Sequence, residues 1–341
     1  MFTKIKSSKS KQKELSEYEK KYFRDLLWSN LEENDLLIGF INVQSLPKTR
    51  RGSKNVYLTR LIYNIEFYHT WIAETRRHCP SLQEEESTPQ IFRGHFMIQE
   101  LDSITIYNKH YPFLGPFQYR WTYSLSTGNI TGRKTSSGRY LSGIGRWSWQ
   151  EFRGKDNAST RIATFYTTVP PAQRWGPGFV YSQHLTLFNT KNIRICPRRG
   201  FLNDIKEETE KRKAAGDQIL LMLEFNDYIL SQRSRRLFVK LGLWDPITEK
   251  HGEEGPGTNR SNKRNNAIDG IWGSPGLYNI SCEYLPVHYA ITSDHRLIWV
   301  KIFLFSALGD KNLWSKPPST QELRLHHPSG LKIHLKNETT D

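Results

Sequence analysis

The polar residues of this chain that could do chemistry stand at the ends of apolar runs. Asn42 lies near the end of LLIGFINV (36–43), Glu74 closes TWIAE (70–74), and Glu224 closes QILLMLE (218–224) with Asn226 two residues on. Ser293-Asp294-His295 comes just before LIWVKIFLF (297–305). A carboxylate or amide at the end of a buried strand is held by a rigid element and still faces solvent, which is where a cation or phosphate site can be built. Taken singly, each has a plainer reading: Asn42 satisfies an edge backbone group, Glu74 pairs with Arg76 or Arg77, and Asp294-His295 makes a turn. The set and its order are more specific than any member. His251, His288 and the pair His326-His327 lack Cys or acidic partners at metal-ligand spacing and read as surface or packing residues. No Walker-type loop, GxSxG or HExxH motif occurs.

Strands and helices have to bring those ends together. LLIGFINV is a buried strand stopped by Pro47 and a basic turn; Tyr57, Leu58, Leu61, Ile62 and Ile65 then keep helical spacing, and TWIAE returns to a strand. Residues 80–89 are polar and acidic and read as a surface loop. From there to Val169 short β-rich pieces alternate with Gly, Asn and Ser turns, the clearest strand being RIATFYTTV (161–169), closed by Pro170-Pro171. Residues 201–215 form a charged helix with Gly216 as its stop, feeding the strand QILLMLE. Residues 249–267 read as a mobile basic loop, followed by strands at 268–272 and 297–305. Before all of this stand a Lys/Ser leader (1–13) and a helical repeat of Leu15, Tyr18, Tyr22, Leu26 and Leu27. The alternation predicts a mixed sheet system wrapped by helices, with polar strand ends at one rim. Three segments result: residues 1–34 as leader and helix, 35–308 as the main domain, and 309–341 as a basic tail.

A chain of 341 residues can form one large domain or two modest ones. Lys plus Arg less Asp plus Glu is 49 − 34 = +15, which favours a polyanionic partner, nucleic acid or an acidic membrane surface. Cys79, Cys196 and Cys282 are odd in number and far apart, against a disulfide framework and a Cys-based zinc site. The basic N-terminus has no apolar core and the run 297–308 is short and broken by Lys301, so the expectation is a nuclear or cytoplasmic protein, not secreted and not in a membrane.

The order Asn42-Val43-Gln44, Glu74, Tyr166 in a β run, Glu224-Phe225-Asn226, Ile268-Asp269 and Ser293-Asp294-His295 resembles the endonuclease/exonuclease/phosphatase family with the DNase I-like fold, over about residues 36–304. Gly145-Arg146-Trp147-Ser148-Trp149, Phe152-Arg153-Gly154-Lys155, Gln183-His184, and Pro197-Arg198-Arg199 with Leu202-Asn203-Asp204 are similar to the endonuclease domains of non-LTR retroelements. The tail from Pro317 to Leu335 resembles, more loosely, the linker to a reverse transcriptase. The resemblance implies a four-layer α/β sandwich of two mixed β-sheets flanked by helices, and phosphodiester hydrolysis of DNA with Mg²⁺ or Mn²⁺. It makes Glu74, Asn42 and Asp294 ligands of the metal or its water, hard donors such as magnesium prefers. His295 becomes a charged donor to a phosphoryl oxygen, with Asp269 fixing its ring and raising its pKa. Asn226 and Tyr166 become neutral donors to the same phosphate, and Glu224 the base toward the attacking water.

Three positions depart from the family pattern. Glu224 stands where the family has Asp, one methylene shorter; Gln44 replaces an Asn or Asp; and Arg120-Trp121-Thr122 occupies the usual Gly-Gly-Thr. Glu224 and Gln44 keep one alternative open, a catalytically impaired nucleic-acid-binding remnant, and the shared fold keeps open another, a phosphoinositide-type phosphatase. Basic and aromatic residues interleave around Arg146-Trp147 and Arg153-Gly154-Lys155, so Arg146 and Lys155, with Arg260, Lys263 and Arg264 of the later loop, are the candidate phosphate contacts. The competing reading packs one of Trp147 and Trp149 in the core and leaves the cations solvated.

Overall fold

The apolar runs read as buried strands are apolar on both faces because each face meets a different layer. The computed structural model describes residues 35–43, 53–65, 67–73, 92, 96, 103–107, 122–139, 147–154, 159–167, 180–259, 266–277, 279–285 and 293–309. The strands are β1 (Asp35–Asn42), β2 (His69–Ala73), β3 (Ser103–Tyr107), β4 (Tyr123–Thr127), β5 (Lys134–Arg139), β6 (Trp147–Arg153), β7 (Ser159–Tyr166), β8 (Gln218–Glu224), β9 (Asp269–Gly273), β10 (Asn279–Tyr284) and β11 (Ile298–Phe303). The helices are α1 (Ser53–Ile65), α2 (Val180–Thr190), α3 (Pro197–Ala214), α4 (Gln232–Lys240), α5 (Pro246–His251) and α6 (Leu304–Leu308).

Two mixed sheets result. One runs β10-β11-β1-β2-β4-β3, with β1 and β2 parallel through the α1 crossover; the other runs β5-β6-β7-β8-β9, with β7 and β8 parallel through α2 and α3. Side-chain alternation sorts each strand between layers. Leu36, Ile38 and Phe40 of β1 join Leu220 and Met222 of β8 and Ile271 of β9 between the sheets. Leu37 and Ile41 turn outward onto Leu58, Ile62 and Ile65 of α1, and Ile219, Leu221 and Leu223 turn outward onto Phe201 and Ile205 of α3 and Phe238 of α4. Helix, sheet, sheet and helix form the four layers expected from the sequence. Gly39 is required where it stands, because a Cβ there would meet the Phe67 ring at 2.8 Å.

A buried polar cluster crosses between the sheets where β2 begins. His69 bonds Ser126 Oγ (2.7 Å) and Ser124 Oγ (3.1 Å), Ser126 Oγ donates to Gln150 Oε1 (2.8 Å), and Gln150 Nε2 returns to the Ser124 carbonyl (2.9 Å). Burial pushes the His69 pKa down to about 3, so the ring is neutral.

Three local expectations are corrected. The helix predicted to begin at Phe201 begins at Pro197, which stands at the first position, where its missing N–H costs nothing. The stretch predicted as loop from residue 249 contains the end of α5, capped by Asp245, whose Oδ1 accepts from the amides of Ile247 (3.0 Å) and Thr248 (3.1 Å); Thr258 and Asn259 of the same stretch are buried. The last strand stops at Phe303, and Leu304–Leu308 winds into α6, whose terminal carbonyls at Ala307 and Leu308 are taken by Thr160 and Arg133. Cys196 and Cys282 are free thiols, one exposed and one buried.

Trp147 packs in the outer core of the second sheet, as the competing reading holds, and Trp149 packs partly buried against the same core. Arg161 lies 3.7 Å from the Trp149 ring and is 2% exposed, paired with Glu151 and, at 2.8 Å, with Glu208. Arg212 also reaches both carboxylates, Glu208 at 2.9 Å and Glu151 at 3.6 Å, so loss of Arg161 weakens the network without stranding either charge. Arg161→Met is therefore expected to destabilise the fold by about 1–2 kcal/mol, measured by urea unfolding; an unchanged stability would show that the pair contributes nothing.

Candidate active site

The alternation that fills the space between the sheets also aims the site. On β1 the inward row Leu36, Ile38, Phe40 ends on Asn42; on β8 the row Leu220, Met222 ends on Glu224. Asp269, which opens β9 on the row of Ile271, lies opposite Glu224 in register. Apolar contact gives way to polar contact where the two sheets meet the rim. Asn42 Nδ2 donates to Glu224 Oε2 at 2.6 Å, a bond from one sheet to the other between residues 0% and 1% exposed.

His295 enters from the segment leading into β11. Its backbone N–H donates to Ser293 Oγ (3.1 Å), and that hydroxyl donates to the Asn42 carbonyl (2.6 Å), so one serine ties the His295 segment to the end of β1. The imidazole Nδ1 lies 2.8 Å from Asp269 Oδ2, and Nε2 lies 3.7 Å from Asp294 Oδ1 and 4.0 Å from Glu224 Oε1. Burial alone would lower the ring's pKa; the Asp269 carboxylate, with Glu224 and Asp294 behind it, more than offsets that and raises it to about 10. The ring is an imidazolium at neutral pH, with Nδ1–H donating to Asp269. At Nε2 the nearest group is the Asn259 amide, 2.8 Å away with its nitrogen toward the ring; the Asn42 nitrogen is at 3.3 Å. A charged ring needs an acceptor there, which Asn259 supplies by a half-turn that exchanges amide N and O. Asn42 has no such freedom, because its nitrogen serves Glu224.

Sequence reasoning set Asn259 in the loop over the rim but missed its place against His295. It falls in the stretch read as a DNA-touching loop, but it forms an antiparallel bridge with His295, and the Arg296 amide donates to the Thr258 carbonyl (2.8 Å). Thr258 Oγ1 accepts from the amides of Ile268 (2.9 Å) and Asp269 (3.0 Å), fixing the start of β9. Thr258→Val keeps the shape and leaves the buried Asp269 N–H and the half-buried Ile268 N–H without this acceptor, so a loss of about 1–2 kcal/mol is expected in thermal unfolding; an unchanged midpoint would refute that support.

Of the other expected site residues, Asn226 holds a left-handed backbone (φ 51°), and its Nδ2 donates to the Thr167 carbonyl (2.8 Å), leaving its second amide hydrogen for a ligand. Arg198 steadies that turn from α3, paired with Asp227 at 2.8 Å and lying over Phe225 at 5.1 Å. Tyr166 stands opposite Glu224 on β7, with its side chain outside the described set. Glu74, Gln44, Arg146, Lys155, Arg260, Lys263 and Arg264 lie outside the described residues.

No protein-family model matches the chain, and no curated protein matches it. Solved structures do. The 3′-phosphatase NExo from Neisseria bound to a product DNA hairpin superposes with a TM-score of 0.54 at 14% identity, covering 78% of this chain and 98% of that one. The catalytic domain of Xenopus laevis APE2 gives 0.55 at 12% identity, covering 79% and 92%. An AP endonuclease from Archaeoglobus fulgidus gives 0.53 at 11% identity, covering 78% and 98%. This is the DNase I-like fold. The DNase I-like architecture explains why residues from β1, β8, β9 and the approach to β11 meet at one rim, although His295 and Asn42 stand at opposite ends of the described chain. Among the described residues no helix is long and apolar enough to cross a membrane.

Proposed function

We propose that this chain hydrolyses phosphodiester bonds of DNA as a divalent-cation-dependent endonuclease. The observation that carries the reading is the buried relay Asp269–His295 next to Asn42–Glu224, which sets a fixed positive donor beside a carboxylate at the junction of two sheets. The +15 charge and the DNA named with the Neisseria neighbour support nucleic acid as the substrate over a phosphoinositide.

Glu224, Asp269 and His295 each bring a ligand atom within 4.8 Å of the others. His295 Nδ1 is committed to Asp269 Oδ2, however, so the donors that could face a cation are oxygens: Asp269 Oδ1, Glu224, Asp294 and the amide of Asn42. Such a set fits Mg²⁺ or Mn²⁺ rather than zinc. Asn42 and Asp294, with Glu74 as the resemblance places it, would hold the ion, which when bound polarises the phosphate and stabilises the leaving oxygen. The chain's own groups do the rest. His295 passes its Nε2–H from Asn259 to the phosphoryl oxygen whose charge grows, Asp269 keeps the ring charged through Nδ1–H, Asn226 adds a neutral donor, and Glu224 takes the proton of the attacking water. Glu224 in the family's Asp position favours a second reading, a slow enzyme or a binding remnant. The retroelement reading, a nick that leaves a 3′-hydroxyl for an adjoining reverse transcriptase, rests on the motif resemblance from Gly145 to Asp204.

Supercoiled plasmid is expected to become nicked circles with Mg²⁺ or Mn²⁺ and to stay intact with EDTA. Cutting that persists in EDTA would overturn the proposal.

A further inference from the structure

The helix that follows the Glu224–Asn226 turn carries a row of cations that the fold itself does not use. α4 buries Ser234 and Phe238 and leaves Arg233, Arg236 and Lys240 exposed. Their spacing of three and four residues puts them on one face. Among the described residues none of the three makes an ion pair, whereas Arg235, off that row, pairs with Glu253, and Arg198 pairs with Asp227. Like charges at this spacing repel, and neither the core nor a described carboxylate offsets that here.

The row starts at the rim and leads away from it. At its head, the charge of Arg233 acts on Arg198 and on Cys196, beside the turn that holds Asn226. At its foot, the end of α4 meets the end of α3, where Lys213 Nζ donates to the Leu241 carbonyl. α3 leads through Gly216 into the start of β8, so that contact lies at the end of the sheet opposite the site. From Arg233 to Lys240 the helix rises about 10 Å, roughly three base-pair steps of a duplex.

We propose that this row is a second nucleic-acid contact, gripping the phosphate backbone of the duplex that flanks the cleavage point and setting the side on which that duplex leaves the rim. The flanking role rests on the nuclease reading; the contact itself does not, and binding can be measured without cleavage. The test is fluorescence anisotropy of the full chain with a labelled duplex of about two helical turns, in EDTA, over a series of salt concentrations. Arg233→Gln with Arg236→Gln is expected to weaken binding about tenfold or more and to flatten the logarithmic salt dependence by about two, one per lost phosphate contact. Arg60→Gln, an exposed cation on α1 across the molecule, is expected to change neither. The proposal is overturned if the wild-type chain does not bind duplex, if the double variant binds like wild type, or if Arg60→Gln weakens binding as much. Should the double variant lose binding while no metal supports nicking, the contact stands and the nuclease reading falls. Should the wild-type chain nick plasmid while the double variant binds duplex unchanged, the nuclease reading stands and the contact falls.

Discussion

Replacing His295 by Ala is expected to lower the proposed DNA nicking about a hundred- to a thousandfold, the usual cost of losing one fixed donor aimed at charge that develops in the transition state. The structure shows why the loss would not be made up from nearby: the ring is 3% exposed, and the side chains around it are the carboxylates of Glu224, Asp269 and Asp294 and the neutral amides of Asn42 and Asn259. The same residue sets a pH signature. The His295 pKa stands at about 10 in the folded chain against 6.5 ordinarily, so the charged donor is present at neutral pH and is lost as pH rises through about 10. Stability follows the same sign: the contribution of the raised pKa is full below 6.5 and fades as pH climbs toward 10. Asp269→Asn removes the carboxylate that does most to oppose burial, so the alkaline limb of the rate profile moves toward acid. A limb that stays in place, or nicking unaffected by His295→Ala, would sink the assignment.

The second large effect is at Glu224. Glu224→Gln keeps the volume and an acceptor for Asn42 but removes the proposed base, and a loss of about a hundred- to ten-thousandfold in nicking is expected. Glu224→Asp is the sharper experiment. The longer side chain is what reaches Asn42 at 2.6 Å. Shortening it draws the carboxylate back by about one carbon–carbon bond, and a displacement of about 1 Å can cost on the order of a hundredfold. A decline therefore means that the centre is built around the longer acid. A rise would mean that Glu224 is damage to an aspartate site, and the impaired-remnant reading would replace the present one.

β1 and β8 were legible in the sequence to within a residue because each is apolar on both faces and short, which a surface helix cannot be. That Asn42 and Glu224 end those runs was legible too. Their bond was not, because it depends on how two sheets dock across a separation of 182 residues. Asn259 was hidden for a related reason: its neighbours are Gly, Pro and basic residues, the signature of a loop, and its role exists only through a bridge to His295. α6 was hidden by continuity, since Leu304 and Phe305 extend the strand's composition while Ser306 and Gly309 (φ 71°) end the element as a helix. Arg161 was invisible as a core residue because nothing in the spacing announces that Trp149, Glu151 and Glu208 converge on it.

In the first sheet, β1 from the start of the described chain is flanked on one side by β11 from its end, while the whole second sheet is made from residues between them. During synthesis β1 must therefore wait, one side unmatched, until nearly all of that stretch has left the ribosome, and His295 is the last of the converging groups to arrive. An unfinished chain can shape the second sheet but carries no complete cutting centre, so the proposed hydrolytic machinery is switched on only once translation has passed β11.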